Sequence, residues 1–126
     1  MRSVEESYRG KHVRVFHLDR EAVLARLEER ARRLLDEEPK AAEVWLFGSL
    51  ARGDAGPGSD ADLLVVLEES LLPFLDRSAL VSRHFTGVGV GCDLLAYTRA
   101  ELDSLRREGR RLPRAVEAEG RLLARR

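Results

Sequence analysis

Val44-Trp45-Leu46-Phe47-Gly48-Ser49-Leu50-Ala51-Arg52-Gly53, followed after five residues by Ser59-Asp60-Ala61-Asp62-Leu63-Leu64-Val65-Val66-Leu67, is the stretch on which the fold turns. The apolar run Val44 to Phe47 reads as a buried strand that stops at Gly48, and Ser49 to Gly53 reads as a short helical turn. Gly53 to Ser59 is rich in turn residues, and the apolar run Asp62 to Leu67 predicts a second strand after it. Upstream, Asp19 offers a helix N-cap. Val23, Leu24, Leu27, Ala31, Leu34 and Leu35 then recur at helical spacing until Pro39 ends the helix. Lys11 to Phe16 alternates polar and apolar residues as a short strand does. Downstream, Leu71 to Phe85 predicts a helix with Pro73 in its first turn, and Val88 to Tyr97 predicts a strand interrupted by glycines. Thr98 with Glu101 signals a capping box for a helix across Ala100 to Glu108, and Pro113 opens a last helix containing Val116, Leu122 and Leu123. The order β-α-β-α-β-α-β-α-α defines an α+β (mixed α/β) class, a sheet covered by helices.

The chain of 126 residues is expected to form one domain over 1–126, with a motif core at 44–97 and C-terminal helices at 99–125. Hydrophobic residues at 44% with charged residues at 35% describe a folded chain rather than a disordered one. The longest aliphatic run, Leu63 to Leu67, is far short of the roughly 20 residues that cross a bilayer. The first residues show no apolar signal stretch, so a cytoplasmic location is expected. One cysteine, Cys92, closes no intrachain disulfide and anchors no thiolate zinc site; it is expected to pack as a small hydrophobe. The net charge of zero hides an acidic middle, net −4 over residues 44–98, and a basic end, net +4 over 99–126. The acidic middle repels nucleotide or nucleic acid unless cations intervene, and no strongly basic face suggests a long nucleic-acid footprint.

Asp60 and Asp62 are two apart at the start of a strand, so the period of two points both carboxylates to one face. Two ionised carboxylates side by side repel, and a hard divalent cation with oxygen ligands is the simplest counter-ion; a polar turn before a strand is the alternative. Gly48-Ser49 joins a strand to a helical turn, where backbone N–H groups and the Ser49 hydroxyl are placed to take phosphate oxygens. Arg52 has two candidate partners, a phosphate or the nearby Asp54. Gly87-Val88-Gly89-Val90-Gly91 lacks the spacing of a dinucleotide loop and predicts a hairpin or bulge. His12, His17 and His84 show no ligand spacing with Cys92. Asp76 and Asp103 read as solvated helix faces, and Trp45 and Phe47 as core packing.

Joined, Gly48-Ser49-Leu50-Ala51-Arg52-Gly53 and Ser59-Asp60-Ala61-Asp62-Leu63 resemble the signature of the polymerase-beta-like nucleotidyltransferase superfamily, and within it the minimal nucleotidyltransferases that accompany helical HEPN-domain toxins. The resemblance covers roughly residues 13 to 125, with the discriminating motifs at 44–67. It implies that Asp60 and Asp62 hold two Mg²⁺ ions on ATP and that Gly48 and Ser49 engage its phosphates, with Arg52 and Ser59 in the nucleotide-binding set. The family's third carboxylate matches Asp93, as a metal ligand or general base, and Asp93 interrupts an apolar strand where an unpaired carboxylate is costly. The activity implied is Mg²⁺-dependent transfer of AMP from ATP to a hydroxyl, foremost a tyrosine of a HEPN-type partner neutralised by adenylylation. Transfer to a small molecule or an RNA end, or antitoxin action by contact alone, are the other readings. A homo-oligomer is also open. Leu112, Val116, Leu122 and Leu123 beside Arg106, Arg107, Arg110 and Arg111 predict either a partner surface or a helix closing the protein's own core.

Overall fold

A computed structural model describes residues 19–126; the expected strand at Lys11–Phe16 and the residues His12 and His17 lie outside them. In chain order the elements are α1 (Arg20–Glu37), β1 (Ala41–Phe47), α2 (Ser49–Arg52), β2 (Ala61–Leu67), α3 (Phe74–Ser82) with a 3-10 turn at Arg83–Phe85, β3 (Cys92–Thr98), α4 (Arg99–Arg107), α5 (Arg111–Glu119) and β4 (Arg121–Arg125). The sheet order is β3-β2-β1-β4. β1 runs antiparallel to both its neighbours, while β2 and β3 are parallel. This is the mixed α/β class the sequence implied.

The period of two along each strand gives the sheet two apolar faces. On one, Val44, Leu46, Leu63, Val65 and Ala96 pack against α1, Val81 and Phe85. The six α1 residues that carried the helical pattern are the six it buries. Asp19 caps α1, its carboxylate accepting the Ala22 N–H at 3.2 Å. Glu38, extended because Pro39 follows, ends it. On the other face Trp45, Phe47, Leu64, Val66, Leu95 and Tyr97 meet Leu102 and Leu105 of α4 and Leu112 and Val116 of α5.

Three boundaries differ from the sequence reading. Leu122 and Leu123 are not helical: they belong to β4, where Leu122 stands opposite Trp45 on the free edge of β1, and Pro113 is the third residue of an α5 that ends at Glu119. Five residues are too few to distinguish a period of two from 3.6, so the open edge of β1 decides. The helix expected from Leu71 starts at Phe74, with Pro73 as its N-cap, because the residue before a proline is pushed out of the helical region. β3 starts at Cys92; Gly87 to Val90 forms turns and bends, and no hairpin is made there because β3 is parallel to β2. Val116 and Leu123 are buried and Leu112 packs against the core, so these three serve the protein's own interior. Arg106 is engaged by Asp103 and Glu117, each at 2.9 Å. Burial, with Asp60 and Asp93 adding to it, pushes the Cys92 thiol up to about 11, which makes it a protonated packing group.

α3 and α4 are stapled together by Arg77, whose side chain is only 8% exposed. Its guanidinium donates to both Glu101 oxygens at 2.6 and 3.0 Å and to the Leu72 carbonyl at 2.9 Å. Glu101 also completes the capping box, accepting the Thr98 N–H at 2.9 Å while its own N–H donates to Thr98 Oγ1 at 3.2 Å. Hydrogen bonds from Arg77, opposed by some burial and helped by Thr98, hold the Glu101 carboxyl down at about 2. Between about pH 2 and 5 the unfolded chain therefore binds more protons at this group than the native one. Its stabilisation is full above the ordinary carboxylate range and is lost as pH falls towards 2. Glu101→Gln is expected to lower stability by about 1–2 kcal/mol at pH 7, the lower part of the charged hydrogen-bond range because Glu101 is 42% exposed. Melting curves of the two proteins from pH 7 to pH 3 test this: the gap should narrow as pH falls, and a constant gap contradicts the assignment.

Candidate active site

Asp62, near the start of β2, stands opposite Phe47 on β1 and opposite Asp93 on β3. Strand alternation turns all three side chains to the face that carries Trp45, Leu64 and Leu95. Asp60, two residues earlier, continues the same row: the Ala61 N–H donates to the Gly91 carbonyl at 2.8 Å, and Asp60 Oδ1 lies 2.7 Å from where a Cβ on Gly91 would be. The carboxylates therefore occupy one corner of the sheet, where β1 ends and β2 and β3 begin. Asp60 and Asp93 are exposed and Asp62 is half-buried. Asp93 thus opens β3 at the surface and does not interrupt a buried run as the sequence suggested.

The corner is closed from the side by the turn between β1 and α2. Gly48 has φ +79° and ψ −160°, a conformation open to almost no residue but glycine. A Cβ there would lie 2.2 Å from Asp62 Oδ2, so the missing side chain is the space the carboxylate fills. Ser49, half-buried, starts α2. Burial raises the Asp62 carboxyl above its ordinary value, Asp93 and Asp60 push it further in that direction, and Arg52 pulls it back. Like charges this close repel, and Asp60 and Asp62 turn apart, Asp60 onto Gly91 and Asp62 onto Gly48. Among the described residues no group of three His, Cys, Asp or Glu side chains is gathered tightly enough to hold an ion as it stands. The donor set is nonetheless all carboxylate, the chemistry that hard divalent cations select.

Arg52 and Ser59 lie beside this corner with their polar groups engaged by the protein. Of the two partners open to Arg52, the structure shows Asp54, to which its Nε donates at 3.1 Å, while its Nη1 donates to Glu119 of α5 at 2.9 Å. Ser59 Oγ accepts the Gly56 N–H at 3.1 Å and closes the turn before β2. Two contributors carried no sequence signal: Phe47, which reads as plain core packing yet flanks Asp62, and Glu119, which lies 67 positions from Arg52.

A buried strand, a glycine turn and a row of carboxylates thus meet at one corner of the sheet. The chain belongs to the nucleotidyltransferase domain family, which residues 26–116 match. The enzyme class implied by the motifs is that of the family. It is similar to a crystal structure from Sulfolobus solfataricus provisionally assigned as a nucleotidyltransferase, at 28% identity over 85% of this chain and 84% of that one, with a TM-score of 0.62. A toxin–antitoxin structure solved with AMP-PNP shares the fold at 23% identity, over 79% of this chain and 73% of that one, TM-score 0.58. So does a toxin–antitoxin MntA-HpeT variant with two aspartates, two positions apart, changed to glutamate: 20% identity, 79% and 73% coverage, TM-score 0.57. No curated protein matches the chain.

Proposed function

We propose that the protein is a Mg²⁺-dependent nucleotidyltransferase that moves AMP from ATP to a hydroxyl on a partner protein, a tyrosine of a HEPN-type toxin, and so acts as an antitoxin. The observation that carries this reading is the row Asp60, Asp62 and Asp93 at one corner of the sheet, with Asp62 seated against Gly48. The likeness to a toxin–antitoxin protein that takes AMP-PNP supports it, as does the aspartate pair varied in another, whose spacing equals that of Asp60 and Asp62.

In this reading Asp60, Asp62 and Asp93 hold two divalent cations, which when bound neutralise the triphosphate and the departing pyrophosphate. Gly48 and Ser49 bring backbone N–H groups close to the phosphates, since no Cβ intervenes at Gly48. The acceptor oxygen forms a bond to the α-phosphorus as the bond to the bridging oxygen breaks, and pyrophosphate leaves. In the same reading Asp93, exposed near the start of β3, takes the hydroxyl proton. Arg52 and Ser59 shape the loop around the nucleotide. In this reading the acceptor hydroxyl comes from the partner protein.

A partner needs a surface, and the chain leaves one apolar. Leu71, Leu72, Leu75 and Leu80 are exposed, and Leu71, Leu72 and Leu80 line, with Leu67 and Val81, a cavity of about 530 Å³. The test is incubation of the protein and its co-expressed neighbour with Mg²⁺ and ATP labelled on the α-phosphate. A labelled neighbour, with tyrosine as the modified residue, is the expected result. Label on RNA or on a small molecule moves the acceptor to another class, and no label at all leaves a contact antitoxin. Leu71→Asp with Leu75→Asp should reduce co-purification of the neighbour at least about tenfold with the melting temperature unchanged.

A further inference from the structure

α2 is a helix of one turn, too short to hold itself in place. Its backbone accounting is nearly complete: the Gly48 carbonyl accepts from Arg52 N–H at 3.0 Å, and the Ser49 carbonyl from Gly53 and Asp54 N–H at 3.0 and 3.1 Å. Among the described residues that leaves the carbonyls of Leu50, Ala51 and Arg52 at its C-terminal end. Arg20, the first residue of α1, takes the first two: its Nε donates to Leu50 O at 3.1 Å and its Nη2 to Ala51 O at 3.3 Å.

A cation in the first turn of a helix opposes the helix dipole, so Arg20 is misplaced as a residue of α1. As a residue of α2 it is well placed, because its charge meets the negative end of that helix and its planar fork spans two successive carbonyls. Arg52, held by Asp54 and Glu119, anchors the same turn from the opposite side. What this clamp fixes is the segment that begins at Gly48, whose backbone leaves no room for a Cβ beside the Asp62 carboxylate.

We propose that Arg20 is a positioning residue: by capping α2 it holds the Gly48–Ser49 turn in register with Asp62, without itself touching the nucleotide. The role rests on the nucleotidyl-transfer reading of the corner. A shift of about 1 Å in such a turn is enough to cost one to two orders of magnitude in productive binding.

The test uses the full chain with Mg²⁺-ATP, its co-expressed neighbour as acceptor, and the variants Arg20→Ala and Arg20→Lys. In Arg20→Ala the amides of Arg52, Gly53 and Asp54 should exchange with deuterium at least about tenfold faster, while those of α1 from Leu27 to Leu35 keep their protection. KM for ATP should rise about tenfold with a smaller change in kcat, because the turn grips phosphates that are present before and during reaction. Arg20→Lys, which can reach one carbonyl, should recover part of both effects, and it keeps the test open if the alanine variant folds poorly. Unchanged exchange at 52–54, or faster exchange with KM unmoved, overturns the positioning role alone. A wild type that takes up no Mg²⁺-ATP by calorimetry overturns the site reading and the positioning role with it.

Discussion

Asp62→Asn is expected to lower AMP transfer by at least about two orders of magnitude and, in the same protein, to raise the melting temperature measured in EDTA without nucleotide. The first half follows from position. Asp62 is the only one of the three carboxylates with the other two as neighbours along and across the sheet, Asp60 two residues before it and Asp93 directly opposite. An amide in its place keeps the shape and removes the charge that a divalent cation needs. The second half follows from the cost of that charge. Burial acts against ionised Asp62 first, and Asp93 and Asp60 repel it, so its carboxyl is raised. A carboxyl raised on folding leaves the native state binding more protons, so its contribution favours folding at low pH and is lost as pH rises through the folded value. At neutral pH Asp62 is thus a liability to stability, and asparagine should return about 0.5–1 kcal/mol, a few degrees in melting temperature. Asp60→Asn should act in the same directions, and in both variants the melting increment from Mg²⁺-ATP should shrink. A Tm in EDTA equal to wild type with undiminished transfer would remove Asp62 from the site.

A charge that costs stability leaves a local mark, so the carboxylate row was more legible in the sequence than parts of the fold. Asp-Ala-Asp at the head of an apolar strand breaks a local rule, since it places like charges side by side, and such breaks concentrate where chemistry is done. Gly48 before a helical turn carries the same kind of information, because glycine between a strand and a helix marks a close approach. Neither needs a distant residue to be noticed. β4 does: Arg121-Leu122-Leu123-Ala124-Arg125 is a strand only because β1 has an unpaired edge, and nothing within those five residues says so. The start of β3 was blurred for a related reason, its entry through Gly87 to Gly91 alternating valine with glycine as a weak strand would. The hydrogen bonds from Arg20 to Leu50 and Ala51 span 30 and 31 positions, and the pair of Arg52 with Glu119 spans 67. Twenty of the chain's basic residues are arginines, so no single one stands out until the backbone carbonyls left without partners are located.

Gly48→Ala is the second large effect, and it falls on stability and activity together. At φ +79° and ψ −160° the backbone sits where a side chain costs about 1–3 kcal/mol, whatever space surrounds it. Space is also lacking: the new methyl would lie 2.2 Å from Asp62 Oδ2 and 3.2 Å from its Cγ. Asp62 must swing away or the β1–α2 turn must shift, and either movement separates the turn from the carboxylate row. The expected outcome is a loss of about 2–3 kcal/mol, roughly 10 °C in melting temperature, with AMP transfer reduced at least about a hundredfold. The two causes are separable because one depends on Asp62 and the other does not. In an Asp62→Ala background the oxygen contact is gone, so Gly48→Ala should cost less than it does in wild type, by the part that is steric, and the remainder is backbone strain. An equal cost in both backgrounds would show that the carboxylate does not lie against Gly48, and a cost near zero in both would show that the turn tolerates a Cβ and that glycine is not what brings it to the site.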